Sequence, residues 1–445
     1  MLKVNPKEVS QGDTFLVLPE IEEPEKQIEE AIDRGAVCII TNSGEYSVKT
    51  IIKKDTRAYL TNYLKELYLN KLEQINIIGI AGTNGKTTSG FLTCQLLNSL
   101  NSKTAQISTD GFYINGKLEE TNNPNPDVYE IYELINKAIE NECENIIIET
   151  SSQAIKNRHL EGIKFDMAVY TNTRTKELDE EQIVENINAK IELFKNIKRN
   201  GYAIINKNDK YYENFVLTQN KNIYYGKENC DYNISNISLT YEDIEFDIND
   251  KKITIPILGS YNVYNFLVAY IIARTLNFPE EMIIDQAKTI KSIDGRYQNI
   301  KNKKGLVIID NADKKSNIKN VIKYTREFCR GRIITLIGCD GETKREEREQ
   351  IGKTVTKNSD YVIFTTDNPR YDDPEQILYE MTKKLDTDNF EIISSRREAI
   401  KKGINILDEY DILLILGRGN DEHQIIGSDK IPYQDYEEVM KNIKK

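Results

Sequence analysis

Residues 75–88 read Ile75-Asn76-Ile77-Ile78-Gly79-Ile80-Ala81-Gly82-Thr83-Asn84-Gly85-Lys86-Thr87-Thr88, an apolar segment followed by a glycine-rich turn, a lysine and two threonines. The first half predicts a buried β-strand, and the second half predicts a turn that opens a helix over residues 87–97. Glycines let successive backbone N–H groups point toward phosphate oxygens, and the helix N-terminus adds partial positive charge. Lys86 contributes a full charge, and Thr87 offers a hydroxyl to magnesium. The stretch therefore predicts a site for ATP and Mg²⁺.

The spacing of this loop departs from the usual Gly-x4-Gly-Lys-Ser/Thr pattern. Counting back from Gly85, Ile80 stands where the first glycine belongs, and Gly79 lies one residue earlier. A plain turn between a strand and a helix would explain Gly82 and Gly85, but it would not explain a lysine followed by paired threonines. We therefore assign nucleotide binding to seven consecutive residues: Gly82, Thr83, Asn84, Gly85, Lys86, Thr87 and Thr88.

Length and charge limit the classes to which the chain can belong. At 445 residues it is too long for one core, so two or three domains are expected. Its 60 basic and 71 acidic residues give a net charge of −11, which argues against general nucleic-acid binding because phosphate backbones need a basic face. We expect a monomer whose partners are small molecules, with no nucleic acid and no membrane among them.

The sequence shows no pattern typical of a signal peptide or a membrane span, and it contains few histidines. The first seven residues contain no apolar core of signal-peptide length, and the aliphatic run 412–416 is too short to span a bilayer. We therefore expect a cytoplasmic protein. The six cysteines form no Cys-x-x-Cys pair, which favours reduced thiols, and the presence of only two histidines disfavours histidine-based metal sites.

The alternation of strand and helix patterns predicts an α/β protein of three domains. Residues 1–74 alternate short strands with helices and predict a small N-terminal α/β domain. Residues 75–295 predict a central, doubly wound parallel-sheet P-loop ATPase domain with a β-rich insert between residues 207 and 258. Residues 296–445 begin a fresh series of strands and helices, which predicts a C-terminal Rossmann-like α/β domain.

Several segments of the chain together resemble the Mur ligase family, over essentially the full length and in the family's order. They are 82–88, Glu149-Thr150-Ser151-Ser152, 165–172, Ala189-Lys190, Tyr261-Asn262-Val263-Tyr264-Asn265, Gly295-Arg296-Tyr297-Gln298 and Asp367-Asn368-Pro369-Arg370. Within the family, the resemblance is to members that add the third residue of the peptidoglycan stem peptide. It implies that residues 1–74 hold the acceptor, 75–295 the ATP and 296–445 the amino acid.

The resemblance also implies a reaction: an ATP- and magnesium-dependent, ADP-forming ligase makes an amide through an acyl phosphate. The expected reaction adds a diaminopimelate-like amino acid to UDP-N-acetylmuramoyl-dipeptide in peptidoglycan precursor synthesis. Because the acceptor carboxylate and the ATP tail are both anionic, cations must offset their repulsion.

Three residues are the expected catalytic set: Lys86, Glu149 and Lys190. Glu149 stands at the end of a predicted core strand, where a magnesium ligand and a merely solvated acid would look alike. Lys190 matches a family lysine that is carbamylated, which turns a cation into an anion able to hold a second magnesium ion; the plain alternative is a surface lysine on an amphipathic helix. The resemblance implies a metal set of Thr87, Glu149, Lys190 and Glu177.

Four further residues match family positions around the nucleotide. Asn262 and Asn265 match positions near the adenine, and Arg296 and Asp310 match positions near phosphate and ribose. Ordinary capping or hinge roles would explain the same residues. They are retained as expected cofactor-binding residues.

A last group is expected to contact the two substrates. In the family, the segment Asp367-Asn368-Pro369-Arg370 accompanies acceptance of meso-diaminopimelate, because a guanidinium fork can grip the distal carboxylate that lysine lacks. A simple Asn-Pro turn is the plain alternative. The resemblance implies the substrate residues Arg158, Asp367, Asn368, Arg370, Gly417 and Asp421.

The chain departs from the family in its substrate segments. Glu177 stands where a metal-ligating histidine is usual, Asn5-Pro6-Lys7 replaces the Asp-Ser-Arg signature for the UDP-sugar, and Pro124-Asn125-Pro126 replaces Thr-Thr-Pro. Residues 109–116 also resemble cyanophycin synthetases. Two alternatives follow: a paralogous amide ligase that uses another carboxylate acceptor in peptide or secondary metabolism, and a catalytically impaired, nucleotide-gated binding protein.

Overall fold

A computed structural model describes residues 1–19, 21, 23–119, 126–173 and 179–443. The chain divides into two compact units. Unit 1 comprises Met1–Gly90 and Asn101–Tyr224, and unit 2 comprises Phe91–Leu100 and Tyr225–Lys445. The three-domain boundaries expected from the sequence stay a prediction.

Strands and helices alternate through unit 1. The strands are β1 (Leu2–Lys3), β2 (Thr14–Leu16), β3 (Cys38–Thr41), β4 (Lys49–Ile52), β5 (Asn76–Ala81), β6 (Thr104–Ser108), β7 (Gly111–Ile114), β8 (Lys117–Glu119), β9 (Asn145–Thr150), β10 (Phe165–Tyr170), β11 (Ile197–Asn206) and β12 (Lys221–Gly226), the last of which ends in unit 2. The helices are α1 (Pro24–Asp33), α2 (Thr56–Leu72), α3 (Lys86–Ser99, which continues into unit 2), α4 (Val128–Glu140), α5 (Ser152–Lys156) and α6 (Glu180–Lys195).

Two sheets carry unit 1. The first has the order β1-β2-β3-β4, with every neighbouring pair parallel, and Phe15, Ile28 and Ile39 lie in its apolar core. The second runs β11-β10-β5-β9-β6-β7-β8 within this unit, parallel as far as β6 and antiparallel in β7 and β8. Strands β5 and β9 are almost continuously buried, as expected for parallel strands with both faces covered.

Unit 2 also alternates strands with helices. The strands are β13 (Tyr232–Leu239), β14 (Ile244–Ile248), β15 (Lys251–Ile255), β16 (Gln298–Lys301), β17 (Gly305–Asp310), β18 (Ile333–Ile337), β19 (Tyr361–Phe364), β20 (Phe390–Ile392), β21 (Asp411–Leu416), β22 (His423–Ile426) and β23 (Asp429–Pro432). The helices are α7 (Asn262–Thr275), α8 (Glu280–Ala287), α9 (Lys315–Arg326), α10 (Arg345–Asn358), α11 (Pro374–Thr382), α12 (Arg396–Asn405) and α13 (Asp435–Ile443).

Unit 2 contains the β-rich insert and a second parallel sheet. Strands β13, β14 and β15 pair antiparallel, which is the insert predicted from the alternating pattern. The other sheet has the order β16-β17-β21-β18-β19-β20, and only β16 is antiparallel to its neighbour. In each unit the parallel strands end at a common edge, where the loops after them can meet a ligand.

Two expectations about the chain's environment can be compared with the structure. In the described residues, no helix is long and apolar enough to cross a membrane. All six cysteines, Cys38, Cys94, Cys143, Cys230, Cys329 and Cys339, are free thiols.

Candidate active site

The glycine-rich loop of unit 1 is built around the ends of two neighbouring strands. At Gly82 a Cβ atom would lie 1.9 Å from Thr171 Oγ1, so only glycine fits there. Thr171 Oγ1 donates to the Asn84 carbonyl at 2.8 Å. Asn172 clamps Asn84 from both sides, because its Oδ1 accepts from the Asn84 N–H and its Nδ2 donates to the Asn84 carbonyl, each at 3.0 Å. Thr171 and Asn172 thus shape the loop.

Glu149, Thr87 and Lys86 form a compact cluster at the same edge. Thr87 Oγ1 donates to Glu149 Oε2 at 2.7 Å, and Lys86 Nζ lies 3.6 Å from Glu149 Oε1. The Glu149 side chain is only 4% exposed. The Thr109 N–H lies 3.4 Å from Glu149 Oε2, which adds a longer contact from the end of β6. A hydroxyl, a carboxylate and an ammonium group therefore lie together at the carboxyl ends of β5 and β9.

Lys190 lies inside the unit rather than on its surface. It sits on α6, is 2% exposed, and its Nζ has no hydrogen-bond partner in the part of the chain that the structure describes. Burial lowers the pKa of Lys190 to about 8, with a further contribution from the nearby charge of Lys86 and an opposing one from Asp209. An amine in this setting is partly neutral at physiological pH and therefore nucleophilic.

A cavity of about 210 Å³ opens beside Glu149. Its lining includes Ser151 and Gln153, from the end of β9 and the start of α5, together with His159. Burial lowers the pKa of His159, and the neighbouring Arg57 charge lowers it further, so the imidazole is neutral near pH 7. Ser151 also caps α5, because its hydroxyl accepts from the Ala154 N–H at 3.0 Å.

Arg158, predicted as a substrate contact, lies at the surface next to this cavity. Its guanidinium donates to Glu161 at 2.6 Å and lies 3.9 Å from Asp55, and half of the side chain is exposed. Its neighbour His159, not Arg158, lines the cavity with Glu149. His159 was not predicted from the sequence; its position three residues beyond the end of α5, the helix after β9, was the available signal.

Four predicted nucleotide residues lie in unit 2. Asp310 ends β17 and accepts from the backbone N–H groups of Tyr297 and Ala312 at 2.8 and 2.9 Å. Burial raises the pKa of Asp310 to about 6, although those two hydrogen bonds and Arg296 oppose the shift.

Asn262 and Asn265 are both buried at the start of α7. Asn265 Nδ2 donates to Asn262 Oδ1 at 2.9 Å, and Asn262 Nδ2 donates to the Leu258 carbonyl at 2.6 Å. The two amides therefore stabilise the beginning of the helix, whatever they bind.

The predicted amino-acid residues come together at the carboxyl edge of the unit 2 sheet. Asn368 Oδ1 accepts from Arg418 Nη1 at 2.6 Å and from the Ile425 N–H at 2.9 Å. A Cβ at Gly417 would lie 2.4 Å from Asp367 Oδ2, and φ is +109° there, so glycine is required. Burial raises the pKa of Asp367 to about 6 and also raises that of Asp421.

Two buried arginines support this edge. Arg396 makes a two-pronged ion pair with Asp435, at 2.8 and 2.7 Å, and also donates to the Leu416 carbonyl at 3.0 Å. Arg418 is 2% exposed and lies over the Tyr433 ring, 5.1 Å from its centre. Sequence reasoning assigned neither arginine, since nothing in the local pattern marks Arg396 as buried.

The donor set fits magnesium when phosphate and water complete it. No group of three histidine, cysteine or acidic side chains suited to a metal occurs in the described ranges, which omit residues 174–178 and hence the predicted ligand Glu177. Magnesium commonly takes one or two protein oxygens and fills its octahedron with water and substrate phosphate. Thr87 and Glu149 meet that requirement, since their oxygens are 2.7 Å apart.

Comparison with known proteins decides the family. Models of the Mur ligase middle domain and of the Mur ligase glutamate ligase domain match residues 80–273 and 295–419. The UDP-N-acetylmuramoyl-L-alanyl-D-glutamate--2,6-diaminopimelate ligase of Clostridium botulinum is 31% identical over 459 aligned positions, which span 99% of this chain and 94% of the relative. The chain belongs to the Mur ligase family. A ligase of the same name from Clostridium perfringens is 32% identical over 98% of this Mur ligase and 93% of its own length.

Solved structures agree with this assignment. A 2,6-diaminopimelate ligase structure aligns with the whole of this Mur ligase and 94% of its own chain, with a TM-score of 0.73 and 25% identity. The MurF ligase of Thermotoga maritima in complex with ADP aligns with a TM-score of 0.66 and 18% identity, which shows the shared fold. The predicted family, α/β fold class and reaction class, an ADP-forming amide ligase, are confirmed. The residue roles stay predictions.

Proposed function

We propose that this Mur ligase joins 2,6-diaminopimelate to UDP-N-acetylmuramoyl-L-alanyl-D-glutamate with ATP and Mg²⁺, as a step in peptidoglycan precursor synthesis. The supporting observation is the cluster of Lys86, Thr87 and Glu149 at one sheet edge, with the buried Lys190 close enough to be influenced by the Lys86 charge, in a chain similar over almost its full length to ligases of that name. We place the reaction in the cytoplasm, where ATP is available, and expect a monomer.

The unit 1 residues supply binding and charge neutralisation. Lys86 would neutralise the β- and γ-phosphates, and the N–H groups of residues 82–88 would hold their oxygens. Thr87 and Glu149 would hold one magnesium ion, and a carbamylated Lys190 with Glu177 a second. Bound magnesium offsets the repulsion between the ATP tail and the acceptor carboxylate.

Carbamylation of Lys190 is supported by its burial and by its unpartnered Nζ. The neutral amine attacks carbon dioxide, a C–N bond forms, and one proton leaves, so that the side chain changes from a cation to an anion. A pKa near 8 makes the neutral amine available, whereas an ordinary lysine is almost entirely charged at pH 7. The anion would also relieve the repulsion between the neighbouring Lys86 and Lys190 charges.

The unit 2 residues would bind the other parts of the substrates. Asn262, Asn265, Arg296 and Asp310 are proposed for the adenine, phosphate and ribose of ATP. The incoming amino acid would be held by Asp367, Asn368, Arg370, Gly417 and Asp421, whose loops follow β19 and β21, the two parallel strands on either side of β18.

One observation favours an alternative acceptor. A cavity of about 510 Å³ in unit 1 is lined by Asn5 and Pro6, from the segment that departs from the family's UDP-sugar signature. Its charged lining is more acidic than basic: Glu8, Asp127, Glu130, Glu133, Lys3 and Lys137. Carboxylates repel a diphosphate, so a paralogous ligase acting on another carboxylic acid is the second candidate.

The test is a matrix of substrates read by ADP release. The purified enzyme with Mg-ATP is given UDP-N-acetylmuramoyl-L-alanyl-D-glutamate together with meso-diaminopimelate, lysine or ornithine, and each reaction omits one substrate in turn. We expect ADP release that needs both the nucleotide acceptor and diaminopimelate. Turnover with a peptide carboxylate alone would establish the alternative acceptor, and ATP binding without turnover on any acid would indicate an impaired binding protein.

A further inference from the structure

Arg370 is already engaged by two carboxylates. Its Nε lies 2.8 and 3.1 Å from the two carboxylate oxygens of Asp340, and its Nη1 lies 3.2 Å from Glu342 Oε1. In the described part of the chain, no hydrogen bond or ion pair involves Nη2, and the side chain is 32% exposed. The guanidinium therefore presents one open edge with negative charge directly beside it.

The backbone fixes this pair of charges in place. The Gly341 N–H donates to the Asn368 carbonyl at 2.8 Å, which joins the loop after β18 to the loop after β19. A Cβ at Gly341 would lie 2.2 Å from the Pro369 carbonyl oxygen, so only glycine allows this approach. The buried Arg348 donates to the Gly341 carbonyl at 2.7 Å. Arg370 itself has a φ of +52°, a conformation that a non-glycine residue adopts only when its surroundings hold it.

Asp340 is held by its own loop as well. Its Oδ1 accepts from the Glu342 N–H at 2.8 Å, so the carboxylate is ordered by its own turn and by Arg370. A side chain that is already held by two partners loses little conformational entropy when a ligand binds. The site thus offers a preorganised anion and a preorganised cation side by side.

Such a pair matches one kind of group. A lone guanidinium recognises a carboxylate, and a lone carboxylate recognises an ammonium group, whereas the adjacent pair complements an α-amino-carboxylate, in which both charges sit on one carbon. Diaminopimelate carries such a group at each end. Lysine ends in an ammonium group only, and 2-aminopimelate ends in a carboxylate only.

We propose that Asp340 is a specificity-determining residue that receives the distal ammonium group of the amino acid, while Arg370 receives the distal carboxylate. This inference rests on the proposed function, since it specifies how the same site selects diaminopimelate. Glu342 adds negative charge from a side chain that is 75% exposed, so its contribution is smaller.

A substrate series against a small set of variants tests the assignment. The kcat/KM for ADP release is measured with meso-diaminopimelate, 2-aminopimelate and lysine, at saturating acceptor and Mg-ATP. For Asp340→Asn, we expect the value with meso-diaminopimelate to fall by about tenfold or more, toward that of 2-aminopimelate, because one charge-assisted hydrogen bond is lost. The value with 2-aminopimelate should stay the same or rise, which also shows that the variant is folded.

Two further variants test the role of Arg370 and provide a control. Arg370→Gln should lower kcat/KM for both substrates with a distal carboxylate and leave lysine unaffected. Asp386→Asn, which changes an exposed acid on the loop after α11, should match the wild type with all three.

The opposite outcomes are equally clear. If Asp340 only neutralises Arg370, Asp340→Asn will bind diaminopimelate at least as well as the wild type, and the assignment is wrong. Equal use of diaminopimelate and 2-aminopimelate by the wild type would overturn it too. Absence of ADP release with every amino acid, in protein that still binds ATP, would instead reject the proposed function and this inference with it.

Discussion

Units 1 and 2 each have polar side chains at the carboxyl edge of a parallel sheet, but the charged side chains at the two edges differ in how fully they are paired. In unit 1 Lys86 lies beside Glu149, whereas the Lys190 Nζ is buried without a hydrogen-bond partner in the described residues and is influenced by the charges of Lys86 and Asp209. In unit 2 the arginines are paired: Arg396 with Asp435, and Arg370 with Asp340. The unit 1 edge thus contains a buried amine without a partner, whereas the arginines named at the unit 2 edge are in ion pairs.

The contrast indicates what each edge does. A buried amine without a hydrogen-bond partner is costly to keep charged, which is consistent with the proposed reaction of Lys190 with carbon dioxide. Paired charges hold loops in fixed positions. Unit 2 is therefore suited to select a substrate by its shape and by the positions of its charged groups.

The largest expected effect concerns Lys190 at the unit 1 edge. Replacing Lys190 with alanine should lower kcat for ADP release by about 10²- to 10³-fold, because the proposed anion beside the phosphates is lost. Acetate or another small carboxylic acid should restore part of this activity by occupying the space that the side chain leaves. Steady-state ADP release with and without acetate measures both.

A lysine on the same helix provides the control for this experiment. Lys195 is 61% exposed and pairs with Glu192, so Lys195→Ala should keep full activity and should not respond to acetate. Undiminished turnover of Lys190→Ala would remove this lysine from the mechanism. It would also remove the contrast between the two edges.

A smaller effect is expected at the cavity beside Glu149. If this cavity receives the acceptor, His159→Ala should raise the acceptor KM by about tenfold while kcat changes little, because a neutral hydrogen-bonding side chain is removed from a partly buried site. The measurement is the acceptor KM for ADP release at saturating ATP and amino acid.

Arg158 is the matched comparison. Its guanidinium is bound to Glu161 and half exposed, so we expect Arg158→Ala to raise the acceptor KM by less than His159→Ala does. A larger effect at Arg158 would support the assignment made from sequence and would place the acceptor outside the cavity.

Much of the fold was predictable because its signals are local. The strand predicted before the glycine-rich loop is β5 (Asn76–Ala81), and α3 begins at Lys86, one residue before the predicted start. The glycine-rich loop was also recognisable, since its glycines, lysine and threonines are contiguous. Periodicity and motif spacing capture such features well.

The remaining features depend on contacts between distant residues. Arg370 and Asp340 are 30 positions apart, and Arg396 and Asp435 are 39 apart. No pattern along the chain encodes such a pair. The burial of Lys190 was likewise hidden, because a helix with an amphipathic pattern does not reveal which charged residue turns inward.

The smallest expected effect concerns Asp367, a buried acid at the unit 2 edge. Burial raises the folded-state pKa of Asp367 to about 6, above the ordinary aspartate value. The Asp367 carboxyl therefore binds a proton more tightly in the folded state than in the unfolded state. This stabilises the fold fully below about pH 4, and the stabilisation is lost as the pH rises through about 6. Asp367→Asn should thus be more stable than the wild type at pH 7.5, by about 1–3 kcal/mol, and this advantage should shrink toward pH 5.

Urea unfolding of both proteins at pH 5, 6 and 7.5 measures this difference, and the exposed Asp386→Asn variant should show none that depends on pH. The competing interaction is the ion pair between Asp367 and Arg418, whose charged atoms are 3.7 Å apart. If that attraction outweighs the cost of burying the carboxylate, Asp367→Asn will instead be less stable than the wild type at pH 7.5. The sign of the difference at neutral pH therefore shows whether the unit 2 edge pairs all of its charges or leaves Asp367 available to an incoming cationic group.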